Sequence, residues 1–383
     1  MSGALRAKAL PRTLLLSAST GGGHLSAAHA VSAAFHTRGI DAQVIDVLNL
    51  TPPVFRAWFL GGYETLVRYW PDLWGHLYRV SDRPRLTYHF QTALDLHYMA
   101  RLRAVMRREK PDWVVCTHSL PQPQLERLRR IAAPFNVAVV VTDYYPHRMW
   151  MRGYPDHYFV AGDWTRDVIA RRDPDAGRRT TISGIPTDAA FFARVSRPDA
   201  RRALGADPET PSVLVTSGGI GAGPVTEAVG ALAAAGVPCH ITVLCGRNLA
   251  AHTHLSRMSD DLRGRGFRLQ VEPLLPVAEV ATRMHAADFV VGKPGGLTMS
   301  ECMAAGVPML IHRPLLIPGQ EDGNRLFLEH VGAGATAADA ESLTDLTRGL
   351  LTDRDRLEEM RTRARAAASP GAADTIAETV CGL

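Results

Sequence analysis

The stretch VGKPGGLTMSECMAAGVPM, residues 291–309, constrains the fold of this chain more than any other. A short apolar strand, Asp288 to Val291, runs into a turn carrying Gly292, Gly295 and Gly296. A helix follows, and Pro308 just after Gly306 ends it and restarts extended chain near Val307. Small residues let the turn approach a ligand closely. The helix start aims unpaired N–H groups at that ligand, which suits a phosphate. Glu301 lies one helical turn in from Thr298, placed to accept hydrogen bonds from two sugar hydroxyls. An ordinary βαβ turn has the same outline, so the stretch alone leaves both readings open.

The same device occurs near the N-terminus. TLLLS (13–17) reads as a buried strand, and SASTGGGHLSAAHAV (17–31) leads three glycines into an alanine-rich helix that runs to about Thr37 and stops at Gly39. The glycines match neither GxGxxG nor a Walker loop, which argues against a dinucleotide or ATP. His24 sits at the mouth of the first helical turn. It is either a general base for a substrate hydroxyl, since its unperturbed pKa is nearest neutrality, or a capping or solvated residue. Further strand ends at Cys116, before His118 and Ser119, and at Thr142, before Asp143, are expected to converge on this crevice. Asp143 would orient a histidine, bind a hydroxyl or cap its loop.

At 383 residues the chain is too long for one compact core, and its alternation restarts after a linker ending near Pro198. The expected division is an acceptor and membrane-facing domain over 1–195, a nucleotide-binding domain over 196–365, and a tail over 366–383. Hydrophobic content of 46% and charged content of 21% suit a soluble globular protein. No run approaches the ~20 apolar residues that span a bilayer, and no signal peptide is expected. Five scattered cysteines without a CxxC pair read as reduced thiols of a cytoplasmic protein.

The net charge of +5 is local: Thr51 to Lys110 holds 10 Arg or Lys against 5 Asp or Glu, leaving 33 against 33 elsewhere. The same segment carries Phe55, Trp58, Phe59, Tyr63, Tyr69, Trp70, Trp74 and Tyr78 at helical steps, with Arg56, Arg68, Arg79, Arg83 and Arg85 between them. Gly61-Gly62 and Pro71 are expected to break the helix. Aromatics with arginines fit an anionic bilayer interface; a pair of core helices is the alternative. Single-stranded nucleic acid would suit the composition, but no recognition module of that class is present, so no nucleic-acid partner is expected. Further on, SGGIGAGP (217–224) and CGRN (245–248) end strands, and IPGQEDGN (317–324) starts a helix. Gln320, Glu321 and Asn324 are expected on one outward helical face, where amides and carboxylates suit sugar hydroxyls. The pairs Asp173/Asp175 and Asp353/Asp355 read as surface or capping residues rather than metal ligands.

In this order, SASTGGGHLSAAHAV, VTDYYPHRMW (141–150), SGIPTDAAFF (183–192) and the four later motifs resemble the monogalactosyldiacylglycerol synthase and processive diacylglycerol glucosyltransferase family, related to the enzyme that adds N-acetylglucosamine to lipid I. The resemblance covers about residues 13 to 335. It implies a GT-B fold, two Rossmann-like domains facing across a cleft, with the final helix crossing back to the first domain. It implies an inverting transfer of glucose or galactose from UDP-glucose or UDP-galactose to the 3-hydroxyl of diacylglycerol at the cytoplasmic face of an anionic membrane. Neither cofactor nor metal is implied. His24 would be the base. Glu301 would hold the uridine ribose, and Gly295, Gly296, Leu297 and Thr298 the diphosphate, approached by Gly219 and Gly221. Arg247 and Asn248 would contact the nucleotide or close its pocket. Gln320, Glu321 and Asn324 would read the sugar. Gly22, Gly23 and Asp143 would face the acceptor, with Trp58, Phe59, Arg68, Trp70 and Trp74 at the membrane. Transfer to another lipophilic or polyprenyl-linked acceptor, a UDP-sugar epimerase of this fold, and a non-catalytic sensor are the competing readings. Pro294, which removes an N–H from the turn, and the bulky Tyr144-Tyr145 depart from expectation.

Overall fold

The computed structural model describes residues 10–82, 100–131 and 134–382. The expected positions of Arg83 and Arg85, and the predicted start of a helix at Leu94, lie outside these residues. The described residues build two six-stranded sheets in which every strand pair is parallel. The first contains β1 (Thr13–Ser17), β2 (Gln43–Asp46), β3 (Trp113–Cys116), β4 (Asn136–Val140), β5 (His157–Val160) and β6 (Thr180–Ile182), in the order β2-β1-β3-β4-β5-β6. The second contains β7 (Ser212–Thr216), β8 (His240–Leu244), β9 (Arg268–Glu272), β10 (Phe289–Gly292), β11 (Met309–His312) and β12 (Gly334–Ala337), in the order β12-β11-β10-β7-β8-β9. Helices cover the faces, so β1, β3, β10 and β11 are buried at every position and mostly apolar, with Thr13, Ser17 and His312 the polar side chains among them.

The order of each sheet reverses once. The first reverses between β1 and β3, the second between β7 and β10. Ligands of open parallel sheets collect at the carboxyl ends of strands flanking such a reversal. Each expected glycine turn leaves from one of those strands: Gly21–Gly23 after β1, Gly218–Gly219 after β7 and Gly295–Gly296 after β10.

Two elements differ from expectation. Helix α2 (Pro53–Tyr69) runs straight through Gly61-Gly62, and the chain breaks only at Pro71, which starts helix α3 (Pro71–Ser81). Two glycines cost a helix about 1 kcal/mol each relative to alanine. Here Phe59 and Leu60 pack on the buried cluster of the first sheet, which contains Leu14, Leu16, Val114 and Val139, and offset that cost. The aromatics of this hairpin do not share one side. Phe55 is buried, Phe59 packs inward, and Tyr63 and Trp74 meet each other edge to face, while Trp58, Tyr69 and Trp70 are exposed. The last residues form a helix, Ala372–Gly382. It lies on helix α1 (Gly22–His36), with Ile376, Ala377 and Val380 in the same buried cluster as Val31 and Phe35. Arg38 ties it down through Asp374 at 2.8 Å and Glu378 at 2.6 Å.

Candidate functional site

The two sets of strand ends enclose a cavity of about 280 Å³, at the small end for a ligand site. The first sheet contributes the α1 glycine turn, His24, Thr142 and Asp143. The second contributes Gly219, Lys293, Gly295 to Thr298 and Glu301. The loop after β11 adds Gln320 and Glu321.

His24 stands in the first turn of α1, where a glycine turn aims the helix start at the cavity. Its Nδ1 lies 3.1 Å from the carbonyl oxygen of Thr117 and 2.8 Å from Oγ1 of Thr142. A carbonyl only accepts, so Nδ1 carries the proton and Nε2 keeps its lone pair. Burial, assisted by the Lys293 charge, lowers the His24 pKa to about 4, so the imidazole is neutral near pH 7. His118 packs edge-on at 4.6 Å between ring centroids. Its Nδ1 accepts from Leu120 N at 3.0 Å, which directs its Nε2–H to Thr20 Oγ1 at 3.1 Å. Burial and His24 both push its pKa well down.

Asp143 does not orient His24; Thr142, one residue earlier, does. The Asp143 carboxylate accepts from Trp150 Nε1 at 3.2 Å and from Asn324 Nδ2 at 3.3 Å, and burial raises its pKa. Asn324 was expected on an outward face. It is instead buried: its Oδ1 accepts from the backbone of Tyr144 at 2.8 Å and of Tyr145 at 3.4 Å, so it joins the two halves. The reason is register. The helix starts at Asp322, which leaves Gln320 and Glu321 before it on the cavity and turns Asn324 toward the first sheet. Tyr144 completes the join, with its hydroxyl 2.8 Å from Ser300 Oγ and its ring stacked 4.2 Å from Phe327.

The helix Gly296–Ala305 opens on the cavity with no side chain capping it, so its first N–H groups face the space. A Cβ on Gly296 would lie 2.0 Å from the Thr142 carbonyl oxygen, and one on Gly23 would lie 3.2 Å from Leu297 Cβ. The two glycine turns therefore meet across the cleft. Burial, with Asp188 adding a like charge, raises the Glu301 pKa to about 8. Lys293 pairs with Glu321, whose other oxygen accepts from Ile317 N at 2.8 Å.

The remaining expected residues sit apart from the cavity. Gly221 has φ +71°, and a Cβ there would meet the Cys245 carbonyl at 2.0 Å. Asn248 caps the helix Leu249–Arg257 and donates to Gly221 O at 2.8 Å, so it shapes the loop. Arg247 is exposed and reaches Glu64 of α2 at 3.5 Å. Of the expected membrane set, Trp58, Arg68 and Trp70 are exposed; Phe59 and Trp74 turn inward. Asp173 and Asp353 cap the helices that follow them. Among the described residues no group of three His, Cys, Asp or Glu side chains is placed to hold a metal ion, and no helix is long and apolar enough to cross a membrane. Neither Thr117 nor Lys293 is singled out in the sequence, where Thr142 reads only as a strand end and Tyr63 only as one of the hairpin aromatics. Only Lys293 carried a local signal, a charge set beside a glycine turn.

Two family models match the chain: monogalactosyldiacylglycerol (MGDG) synthase over residues 24–186, and the glycosyltransferase family 28 C-terminal domain over residues 212–379. A protein of Bacillus cereus (strain AH187) named processive diacylglycerol beta-glucosyltransferase is 26% identical over 382 residues, covering 97% of this chain and 93% of that one. Its namesake from Bacillus cytotoxicus is 26% identical over 363 residues, covering 92% and 88%. Among solved structures, Acinetobacter baumannii MurG superposes with a TM-score of 0.63 at 17% identity. Anabaena Alr3699/HepE in complex with UDP-glucose gives 0.59 at 14%, and UDP-GlcNAc 2-epimerase from Neisseria meningitidis bound to UDP-GlcNAc gives 0.62 at 12%. Each covers 97% of this chain and 100% of the other, and at these identities the likeness establishes the fold alone.

Proposed function

Because the chain belongs to the monogalactosyldiacylglycerol synthase and family 28 glycosyltransferases and is a UDP-sugar-dependent hexosyltransferase, we propose that it moves a glucose or galactose unit to the 3-hydroxyl of 1,2-diacylglycerol with inversion. The observation that carries this reading is a neutral histidine with its Nδ1–H bonded, in the same cavity as an uncapped helix start and a half-buried carboxyl. The names of the Bacillus relatives favour glucose and a β-linkage.

In this mechanism the ribose hydroxyls donate to Glu301, which favours its ionised form. The N–H groups of Gly296, Leu297 and Thr298, with Lys293, hold the diphosphate. Gln320 and Glu321 meet the hexose. Nε2 of His24 takes the proton of the lipid hydroxyl as that oxygen attacks the anomeric carbon opposite UDP, so an α-linked donor yields a β-glycoside. The diphosphate offsets the Lys293 charge that depresses His24, so donor binding raises the basicity of the base. The helix start stabilises the leaving diphosphate, and no metal is assigned a step. Diacylglycerol enters past the α2–α3 hairpin. Its exposed Val54, Trp58, Tyr69, Trp70, Leu73 and Leu77 lie among exposed arginines, a composition suited to the cytoplasmic face of an anionic membrane.

The test is transfer of label from UDP-glucose, and separately from UDP-galactose, to anionic vesicles containing diacylglycerol, with EDTA present. A labelled monoglycosyl lipid of β configuration from one donor is expected. UDP binding without lipid product from either donor would overturn the diacylglycerol acceptor.

A further inference from the structure

We propose that Trp74 and Tyr63, on the N-terminal half, are positioning residues that aim the Gln320 amide at the donor hexose and so help set which hexose is accepted. The proposal rests on reading the cavity as a UDP-hexose site in which Gln320 faces the sugar. Oε1 of Gln320 accepts from the Trp74 indole Nε1–H at 3.2 Å and from the Tyr63 hydroxyl at 3.4 Å. An indole N–H only donates, and an amide NH₂ cannot accept. The atom facing the indole is therefore the carbonyl oxygen. The NH₂ end is left for the cavity that Gln320 lines.

The hairpin is held to this loop by its backbone as well. A Cβ on Gly75 of α3 would lie 2.8 Å from Pro318 Cβ and 3.0 Å from the Pro318 carbonyl oxygen; one on Gly319 would lie 2.9 Å from Gly75 O. Glycine at both places lets α3 seat directly on the loop that carries Gln320. Trp74 and Tyr63 brace each other edge to face, 5.1 Å between ring centroids. Beside Gln320, Glu321 is pinned by Lys293 and by Ile317 N.

The consequence is chemical. An amide locked in this sense offers two N–H donors and no acceptor to the hexose. Glucose and galactose differ only in the direction of one hydroxyl, and a donor of fixed direction distinguishes them where a rotating amide does not. The hairpin that exposes Trp70, Leu73 and Leu77 on its outside thus supplies the brace of the sugar reader on its inside.

The experiment compares kcat/KM for UDP-glucose and UDP-galactose in W74F, Y63F, W74F/Y63F, Q320A and W74F/Q320A, with UDP affinity measured on each. W74F keeps an aromatic ring and removes the N–H. It is expected to narrow the ratio between the two donors about 3- to 10-fold, the range for one lost hydrogen bond, with UDP affinity unchanged. W74F/Y63F is expected to approach Q320A, and W74F/Q320A to match Q320A alone, because residues acting through one partner are not additive. A wild-type ratio in W74F and W74F/Y63F, with a collapsed ratio in Q320A, would overturn the positioning role and leave Gln320 facing the sugar. An unchanged ratio in Q320A would instead overturn the reading on which the proposal rests. Should W74F lose UDP binding, Y63F, which removes one oxygen atom, decides by the same ratio.

Discussion

The two glycine turns that meet in the cleft have the same pattern and opposite constraints. Around Gly21 and Gly22 an added Cβ would find nothing within 4 Å. At Gly296 it would strike the Thr142 carbonyl at 2.0 Å, and at Gly292 the Thr216 carbonyl at 2.4 Å. The first turn is open at Gly21 and Gly22, so these glycines leave room for a ligand, and of the three only a Cβ on Gly23 would meet the other half, at Leu297. The second is closed against the other half at Gly296, so that glycine lets two backbones touch. A glycine-rich turn at a strand end therefore has two physical causes, and only the surrounding backbone separates them. The difference follows the proposed division of labour: an open acceptor side carrying the base, and a tightly seated donor side carrying the uncapped helix.

The comparison breaks most severely at the base. Replacing His24 with Ala is expected to lower turnover about 10²- to 10⁴-fold, read as kcat with saturating donor and vesicles. Retained turnover would remove His24 from the chemistry. Gly296→Ala follows. Its methyl group must displace backbone of the other half, so a drop of about 100-fold in activity is expected from misplaced reacting groups. A fall of about 1–3 kcal/mol in stability by chemical denaturation should accompany it. Gly22→Ala, at an open site, should leave stability intact and raise only the KM for lipid. Equal destabilisation by the two changes would erase the distinction between the turns. Glu301→Gln should weaken UDP binding about 10-fold by calorimetry, the cost of one charge-assisted hydrogen bond, and leave lipid KM unchanged.

Much of this contrast is invisible in the chain itself. The runs TLLLS, WVVC and SVLVT mark strands because a parallel strand covered on both faces is uniformly apolar. The helix Val277–Ala286 and the two glycine-led helices follow from periodicity and glycine placement. Strand β12 (GATA) and strand β6 (TTI) lie at sheet edges, half exposed, and lack that apolar signature. The site divides in the same way. His24, Glu301 and the turn at Gly295–Thr298 are legible because their chemistry is local to a motif. Thr142 orients His24 from 118 positions away, and Asn324 reaches Asp143 across 181, so neither pairing leaves a local trace. The inward turn of Trp74 is hidden for a related reason: helical spacing places aromatics on faces but does not say which face meets a partner.

The two sides also titrate in opposite senses. His24 has a pKa of about 4 in the fold against an ordinary value of 6.5, so the unfolded chain binds its proton first. Its contribution to stability is complete above pH 6.5 and is lost as pH falls toward 4. Glu301 has a pKa of about 8 against an ordinary 4.5, so the folded chain keeps the proton longer. Its contribution is present below pH 4.5 and is lost as pH rises through 8. In denaturation midpoints measured across pH, His24→Gln should flatten the acid limb and Glu301→Gln the alkaline limb. An exchange of those effects would contradict the assigned burial.

The smallest expected effect is the most direct test of the division between donor and acceptor sides. Affinity of His24→Ala for the intact UDP-sugar, measured by calorimetry without lipid, should equal that of the unaltered protein while turnover collapses. A fall in donor affinity matching the fall in turnover would contradict the account. It would make His24 part of the donor site rather than the base that acts on the lipid hydroxyl.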